Sequence, residues 1–144
     1  MKCWDIATKD VKTCKLECSA KNAAQMMKDI NTGIIPVVNE NNEIQGVVTD
    51  RDITLNVVAT GKNPETIQVK EFMSKPVITT HADDDIDVAV QKMRDNKVRR
   101  IPIVEDHNKV VGIISLGDIA VTPPEQQEAC EVLETVSIPV SSAK

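Results

Sequence analysis

The chain has 144 residues, a net charge of −5 at neutral pH and 41% hydrophobic residues, with one Trp, one Phe and no Tyr. The acidic charge argues against non-specific binding to nucleic-acid backbones, and the scarcity of aromatic rings leaves almost no base-stacking surface. Because no run approaches the ~18 apolar residues of a membrane span and no signal-peptide pattern opens the chain, we expect a cytoplasmic globular protein with no membrane contact.

The first predicted elements are a short extended piece, "DVKTC", and a helix for which Ser19 is a good N-cap. One face of that helix carries apolar residues at helical spacing, namely Ala20, Ala23, Ala24 and Met27. The apolar run "IIPVV", the polar turn "NENNE" and the run "IQGVVT" predict a buried strand and a hairpin. A final helix begins at the hydroxyl of Thr49, so the order is strand, helix, strand, strand, helix.

The same order recurs 66 residues later, where Ile86, Ala89, Val90 and Met93 give the predicted helix an apolar face at the same spacing. From Cys3 to Ile53, 14 of 51 positions are identical to the residue 66 positions further on, without a gap. One copy of ~50 residues buries little surface, so we expect the two copies to fold as a pair. We assign residues 1–60 and 69–121 to the repeats, 61–68 to a connection, and 122–144 to a tail with a helical stretch, "EQQEACEVLETV", and a loose end.

In each copy an apolar residue precedes "PVV" or "PIV", and "GVVTDRDI" or "GIISLGDI" follows. This duplicated pattern resembles the CBS-domain pair, or Bateman module. It is most similar to small free-standing bacterial and archaeal members. The resemblance implies an α/β (α+β) fold of two tandem β-α-β-β-α repeats about a pseudo-twofold axis, with two clefts. It also implies adenosine-containing ligands, for which AMP, ADP, ATP and S-adenosylmethionine are candidates, and association into homodimers.

Two hydroxyl and aspartate pairs have the same spacing, Thr49 with Asp52 and Ser115 with Asp118. A hydroxyl followed three residues later by an acid is close to a helix capping box, which would form without any ligand. The resemblance implies a second role, in which the aspartate accepts hydrogen bonds from ribose hydroxyls and the Thr or Ser hydroxyl lies near phosphate. The two roles are compatible, and both remain open.

Arg99 and Arg100 precede the predicted strand "IPIV" of the second copy. They could form surface ion pairs, or Arg100 could bind a phosphate, for which its planar guanidinium is suited. The first copy has Gly33 and Ile34 at these positions, and Arg51 is its substitute candidate cation, whereas Gly117 stands at the matching position of the second copy. We therefore expect two unequal clefts. The resemblance further implies that the backbone near Val77 meets the adenine edge.

The acidic cluster in "HADDD" could suggest a metal, but acids at a predicted helix start complement the helix dipole, and we favour capping. Of the four cysteines, Cys14 and Cys18 could pair, yet no zinc or redox spacing is present, and reduced thiols are the simpler interpretation. We expect no metal site and no firm cofactor.

No phosphate-binding loop or nucleophile elbow is present, so we expect no enzyme. The leading hypothesis is a regulatory module that binds an adenosine ligand and signals to an unknown protein partner. The alternative is a structural or interaction module with vestigial clefts. The helices after Asp52 and Asp118 carry apolar residues that a single chain is not expected to bury fully, which favours a homodimer; these residues are Ile53, Val57, Val58, Ile119 and Val121.

Overall fold

The computed structural model describes residues 1–122 and 126–137 of the chain. The first copy contains a short helix, two-residue strand, helix, hairpin and helix: α1 (Cys3–Ile6), β1 (Cys14–Lys15), α2 (Ala20–Ile30), β2 (Ile34–Val38), β3 (Ile44–Thr49) and α3 (Asp50–Ile53), which continues as a π-helix over Thr54–Val58. A 3-10 helix at Val69–Glu71 leads to the second copy: β4 (Thr80–His81), α4 (Ile86–Asn96), β5 (Arg100–Glu105), β6 (Lys109–Ser115), α5 (Leu116–Ala120) and a further helix, α6 (Gln126–Ser137).

The strands form two three-stranded sheets, ordered β1-β2-β3 and β4-β5-β6. In the first sheet β1 runs parallel to β2, which pairs antiparallel with β3. In the second sheet β4 runs parallel to β5. The predicted order of strand, helix, strand, strand, helix is therefore confirmed in both copies.

The extended pieces at the start of each copy are shorter than the sequence suggested. Only Cys14 and Lys15 in the first copy, and Thr80 and His81 in the second, pair with the neighbouring strand. The predicted tail helix is present as α6, whereas the predicted break at Pro123–Pro124 and the loose stretch 138–144 lie outside the described residues.

The predicted helical faces are buried. In α4 all four expected residues are buried, and in α2 three are, with Ala24 half-exposed; the buried residues are Ile86, Ala89, Val90, Met93, Ala20, Ala23 and Met27. Ser19 is the N-cap of α2, where its hydroxyl accepts a hydrogen bond from the amide of Asn22 at 3.1 Å. Both helices end in the left-handed conformation, at Asn31 and Lys97, which satisfies a terminal carbonyl through a backbone bond.

The chain divides into two compact units that do not follow the order of the copies. One contains residues 1–11, 78–105 and the described residues from 111 onward, and the other contains residues 12–77 and 106–110. Within the first unit, Thr8 pairs through its backbone with Ile113 of β6. Within the second unit, Ser74 pairs in the same way with Val47 of β3. We call these two pairing segments, 2–8 and 68–74, the leader segments, since each precedes the first strand of one copy.

Two glycines that occupy matching positions in the repeat allow the leader segments to approach. A Cβ at Gly112 would lie 3.0 Å from the carbonyl oxygen of Thr8 and 3.4 Å from the ring of Trp4. A Cβ at Gly46 would lie 3.0 Å from the carbonyl oxygen of Ser74 and still closer to the Met73 side chain. The close approach indicates that both glycines serve the packing of the leader segments.

Each unit has its own apolar core built from aliphatic side chains, and Phe72 packs, partly buried, against that of the unit that contains β2 and β3. The unit that contains β5 and β6 buries aliphatic residues from its strands, α4, α5 and α6, including Ile86, Met93, Ile101, Ile103, Ile114, Ile119 and Val132. The other unit buries a smaller set, including Cys14, Ala23, Ile35, Val37, Val48 and Val69. Full burial of an aliphatic side chain of this size stabilises a fold by about 1.5–3 kcal/mol.

We predict that Gly112→Ala lowers the free energy of unfolding by about 1–3 kcal/mol, because the new methyl group would force the backbone of Thr8 away from β6. Gly117→Ala is the matched control: its Cβ would meet only the Ser115 hydroxyl, at 3.6 Å, and alanine is favoured over glycine in a helix. Urea titration of both variants measures the difference. Equal stability of the two variants would contradict the packing role of Gly112.

The acidic cluster before α4 is tied into the fold. Asp84 accepts hydrogen bonds from the His81 amide at 2.9 Å and from the hydroxyl of Thr80 at 2.8 Å. Thr80 is fully buried, so this carboxylate is what satisfies its hydroxyl. The His81 hydrogen bond, aided by Thr80, lowers the pKa of Asp84 below its usual value. Asp85 is the N-cap residue of α4, but its side chain makes no capping bond; it lies 3.4 Å from the Lys2 ammonium instead.

We predict that Asp84→Ala destabilises the protein by about 1–3 kcal/mol at pH 7, because a buried hydroxyl loses its acceptor. Since the folded-state pKa is lowered, the stabilisation is complete above the unfolded-state pKa of about 3.9 and is lost as pH falls through the lower folded value. Unfolding free energies from pH 7 to pH 3 should therefore decline less in the variant than in the wild type. Adding Thr80→Val should recover part of the loss, and an unchanged acid profile in Asp84→Ala would refute the assignment.

Candidate functional site

The two hydroxyl and aspartate pairs form capping boxes of closely similar geometry. The Thr49 hydroxyl accepts from the Asp52 amide at 3.0 Å, and the Asp52 carboxylate accepts from the Thr49 amide at 2.9 Å. Ser115 and Asp118 make the same two bonds at 3.0 and 2.9 Å. The capping interpretation is confirmed in both copies, and each box holds its aspartate at the junction of a strand and a helix.

The two aspartates differ in what else they contact. The Ser74 hydroxyl donates to the Asp52 carboxylate and lies 3.0 and 3.1 Å from its two oxygens. Asp118 accepts no side-chain hydrogen bond from any of the described residues, and none of them donates to its second oxygen, Oδ1. Thr8 is the residue that matches Ser74 in the repeat, but its hydroxyl does not reach Asp118. The second copy therefore keeps a carboxylate oxygen available to a ligand.

Sequence reasoning missed Ser74. The signal was present in the repeat, because the 66-residue offset aligns Thr8 with Ser74, and both hydroxyl residues stand directly before a lysine. Only the structure shows that the leader segment carrying Ser74 reaches β3 and the start of α3.

The position of the missing arginines in the first copy is occupied differently. The amide of Asp50 donates to the Gly33 carbonyl at 3.0 Å, as the amide of Leu116 donates to the Arg99 carbonyl at 2.8 Å. A Cβ at Gly33 would lie 3.1 Å from a carboxylate oxygen of Asp50. The first copy thus has a carboxylate beside the position where the second copy has a guanidinium group, which disfavours an anion there.

A cavity of about 570 Å³ lies in the unit that contains β5 and β6. Its volume falls within the range of small-molecule sites. It is bounded by the start of β5, the β6–α5 junction and one face of α6, through Arg99, Arg100, Ser115, Leu116, Gly117, Ala120, Ala129, Cys130 and Leu133. Most of its wall is apolar, and its charged groups are the two arginines.

Both arginines of the cavity are exposed. Neither guanidinium group makes an ion pair or a hydrogen bond with the residues that the structure describes; Arg94, nearby in sequence, is instead paired with Glu131 at 2.8 Å. A guanidinium group with no protein carboxylate beside it can bind a phosphate or carboxylate of a ligand with its planar fork.

The structure brings together only some of the predicted site residues. Arg99, Arg100 and Ser115 line the cavity, and Asp118 is bonded to Ser115 without lining it. The residues Thr49, Arg51 and Asp52 lie together at the start of α3 in the other unit. Arg51 is exposed, and its side chain makes no hydrogen bond or ion pair with the described residues. Val77 is half-exposed and ends the first stretch, 12–77, of that unit. Sequence reasoning did not find the cavity residues from α6, which repeat no pattern of the first copy.

The cysteines differ sharply in burial. Cys3 and Cys14 are buried, Cys18 is half-buried and Cys130 is exposed, and all four are free thiols. Burial, reinforced by the neighbouring Cys18 thiol, raises the pKa of Cys14 to about 12, and burial also raises the pKa values of Cys3 and Cys18. Cys130 is therefore the thiol of this chain that reagents reach first.

Within the described residues, no group of three or more His, Cys, Asp or Glu side chains is arranged to hold a metal ion. In the same part of the chain, no helix is both long enough and apolar enough to cross a membrane.

Comparison with known sequences matches both copies to one family. The profile of the CBS domain matches residues 3–59 and 69–122. The CBS domain-containing protein YhcV of Bacillus subtilis is 38% identical over 133 residues, which cover 92% of this chain and 93% of that protein. The protein MK0525 of Methanopyrus kandleri is 38% identical over 120 residues, 83% of this chain, and the chain spans 61% of that relative's length.

A solved structure has a similar fold. It is the CBS domain pair of protein MJ0100, which is 30% identical, with a TM-score of 0.75 over 83% of this chain and 97% of that one. That protein was crystallised in complex with 5′-methylthioadenosine and S-adenosyl-L-methionine.

Proposed function

The chain belongs to the CBS-domain family, and from that premise we propose that it is a regulatory module that binds an adenosine-containing ligand through its second copy. The observation that carries the proposal is a cavity with two arginines, beside a capped aspartate; among the described residues, neither guanidinium group and only one carboxylate oxygen has a polar partner. AMP, ADP, ATP and S-adenosylmethionine are the ligands to test. The MJ0100 pair, which holds two adenosine compounds, supports this choice.

Charge supports Arg100 as the principal phosphate contact. A phosphate brought to a chain of net charge −5 needs a local cation. Arg100 lines the cavity together with Ser115, whose hydroxyl can share a hydrogen bond with a phosphate oxygen. Arg99 stands beside it and adds positive potential. In this proposal the guanidinium of Arg100 neutralises the ligand and fixes its orientation.

Ribose recognition is assigned to Asp118. Its bond to the Ser115 amide fixes the carboxylate, while the open oxygen can accept hydrogen bonds from the 2′- and 3′-hydroxyls. Because the cap already sets the rotamer, the ligand orders little of the protein when it binds.

The first copy is proposed to bind weakly or not at all. The Asp52 carboxylate already accepts a hydrogen bond from the Ser74 hydroxyl, the Asp50 carboxylate lies beside Gly33, which matches Arg99, and Ile34 stands where the second copy has Arg100. These contacts favour the alternative function, a structural role with a vestigial cleft, for this copy alone. The exposed side chain of Arg51 is the cation that could still support binding there.

We predict that Arg100→Ala weakens the binding of AMP and ATP by about ten- to a hundredfold, since charged hydrogen bonds of this kind contribute about 1.5–3 kcal/mol. Asp118→Ala should lower the affinity for any ribose-bearing ligand to a similar extent. Lys97→Ala is the matched control, because it removes an exposed cation three residues from Arg100 that does not line the cavity. Isothermal titration calorimetry of the four proteins with AMP, ATP and S-adenosylmethionine measures the affinities.

Two results would overturn the assignment. If the wild type binds and neither substitution changes the affinity, the site lies elsewhere. If the wild type binds none of the three compounds, the structural alternative replaces the ligand-binding function.

We also propose a homodimer. Of the apolar residues expected to remain uncovered, Val57 and Ile119 are in fact buried within their own units, whereas Val58 and Val121 are 71% and 78% exposed. We predict a mass of about 32 kDa by sedimentation at tens of micromolar, and a shift toward monomer in Val58→Asp or Val121→Asp. Val88→Asp, at a partly exposed residue of α4, should leave the mass unchanged. A monomer of 15.8 kDa in the wild type would refute the dimer.

A further inference from the structure

The helix α6 is an addition to the duplicated pattern. It follows the second copy and has no counterpart after the first, where the π-helix Thr54–Val58 leads into the connection. It packs against α4 and α5, with Ala129 and Val132 buried in the core of that unit. A second contact is the exposed ion pair between Arg94 and Glu131.

The same helix closes one side of the cavity. Cys130 and Leu133, three residues apart and so on one face of the helix, line it with Ala129. The opposite side is formed by the arginines at the start of β5 and by Ser115. Cys130 and Leu133 are otherwise exposed, at 48% for Leu133, so a molecule in the cavity would cover them.

We propose that α6 is the element through which ligand occupancy is transmitted: a ligand held by Arg100 and Ser115 contacts Cys130 and Leu133 and stabilises the docked position of α6. The inference rests on the proposed function, because it concerns the same cavity. It adds that the helix outside the repeat, and not the repeat itself, changes its exposure when the ligand binds.

The packing of α6 suits this role. Among its described residues, Ala129 and Val132 are buried and Val136 packs against the same core, while the ion pair is exposed to solvent and therefore weak. Contacts that a ligand makes with Cys130 and Leu133 would add to this packing and increase the docked population of α6. By thermodynamic reciprocity, a change that holds α6 away from α5 must lower the affinity for the ligand by the same factor by which the ligand favours docking.

The direct test uses Cys130 as a reporter. N-ethylmaleimide should modify Cys130 fastest, because Cys3 and Cys14 are buried, and Cys130→Ser identifies the fast phase by removing it. With AMP, ATP or S-adenosylmethionine present at ten times the dissociation constant from calorimetry, the rate should fall about tenfold, in proportion to the free protein. Conversely, a bulky maleimide adduct at Cys130 should lower the affinity for the same compound at least tenfold. Cys130→Ser treated with the same reagent should bind the compound with unchanged affinity.

Hydrogen exchange separates a response of the helix from simple shielding of one thiol. The amides of α6 should exchange several-fold more slowly in the complex, whereas those of α2, in the other unit, should not change. If a compound binds by calorimetry but the α6 amides are not protected, this inference is wrong and the proposed function stands, whether or not the Cys130 thiol is shielded. If none of the compounds binds, both are wrong.

Discussion

The capping box at the end of each hairpin is the interaction on which the candidate site depends. The hydroxyl of Ser115 or Thr49 ends the strand and starts the helix, and the aspartate three residues later returns a hydrogen bond to the same residue. Two backbone amides that would otherwise lack partners are satisfied, which is enough reason for the motif to exist without a ligand. The same bonds also fix the carboxylate at the junction. In Asp118 the cap uses one carboxylate oxygen, and the proposed binding role would use the other.

The duplicated backbone carries different chemistry in its two halves. The hydrogen bond from the backbone amide to the aspartate carboxylate is 2.9 Å long in both copies, yet the surroundings of the two aspartates differ in charge. At the start of α3, the Ser74 hydroxyl donates a hydrogen bond to Asp52, and the carboxylate of Asp50 lies beside Gly33. In the second copy, the guanidinium groups of Arg99 and Arg100 face a cavity. The two copies thus share the bonds that the fold requires and differ in the charged side chains around them.

The elements that sequence predicted well are those set by neighbours in the chain. The face of α4, the cap at Ser19 and the two capping boxes all follow from residues within four positions of each other. The contacts that it missed join distant segments: Ser74 to Asp52, and α6 to the cavity. Periodicity reports which face of an element is buried, but not which element buries it. The repeat offset aligned Thr8 with Ser74, and only the fold shows that one hydroxyl is bonded to the aspartate while the other is not.

The leader segments exchange partners between the two copies. Residues 2–8 open the first copy and pair with β6 of the second, while residues 68–74 open the second copy and pair with β3 of the first. A chain with a single copy could make neither pairing within one molecule. Because the connection joins the copies covalently, both pairings form at a fixed local concentration and do not depend on the concentration of the protein.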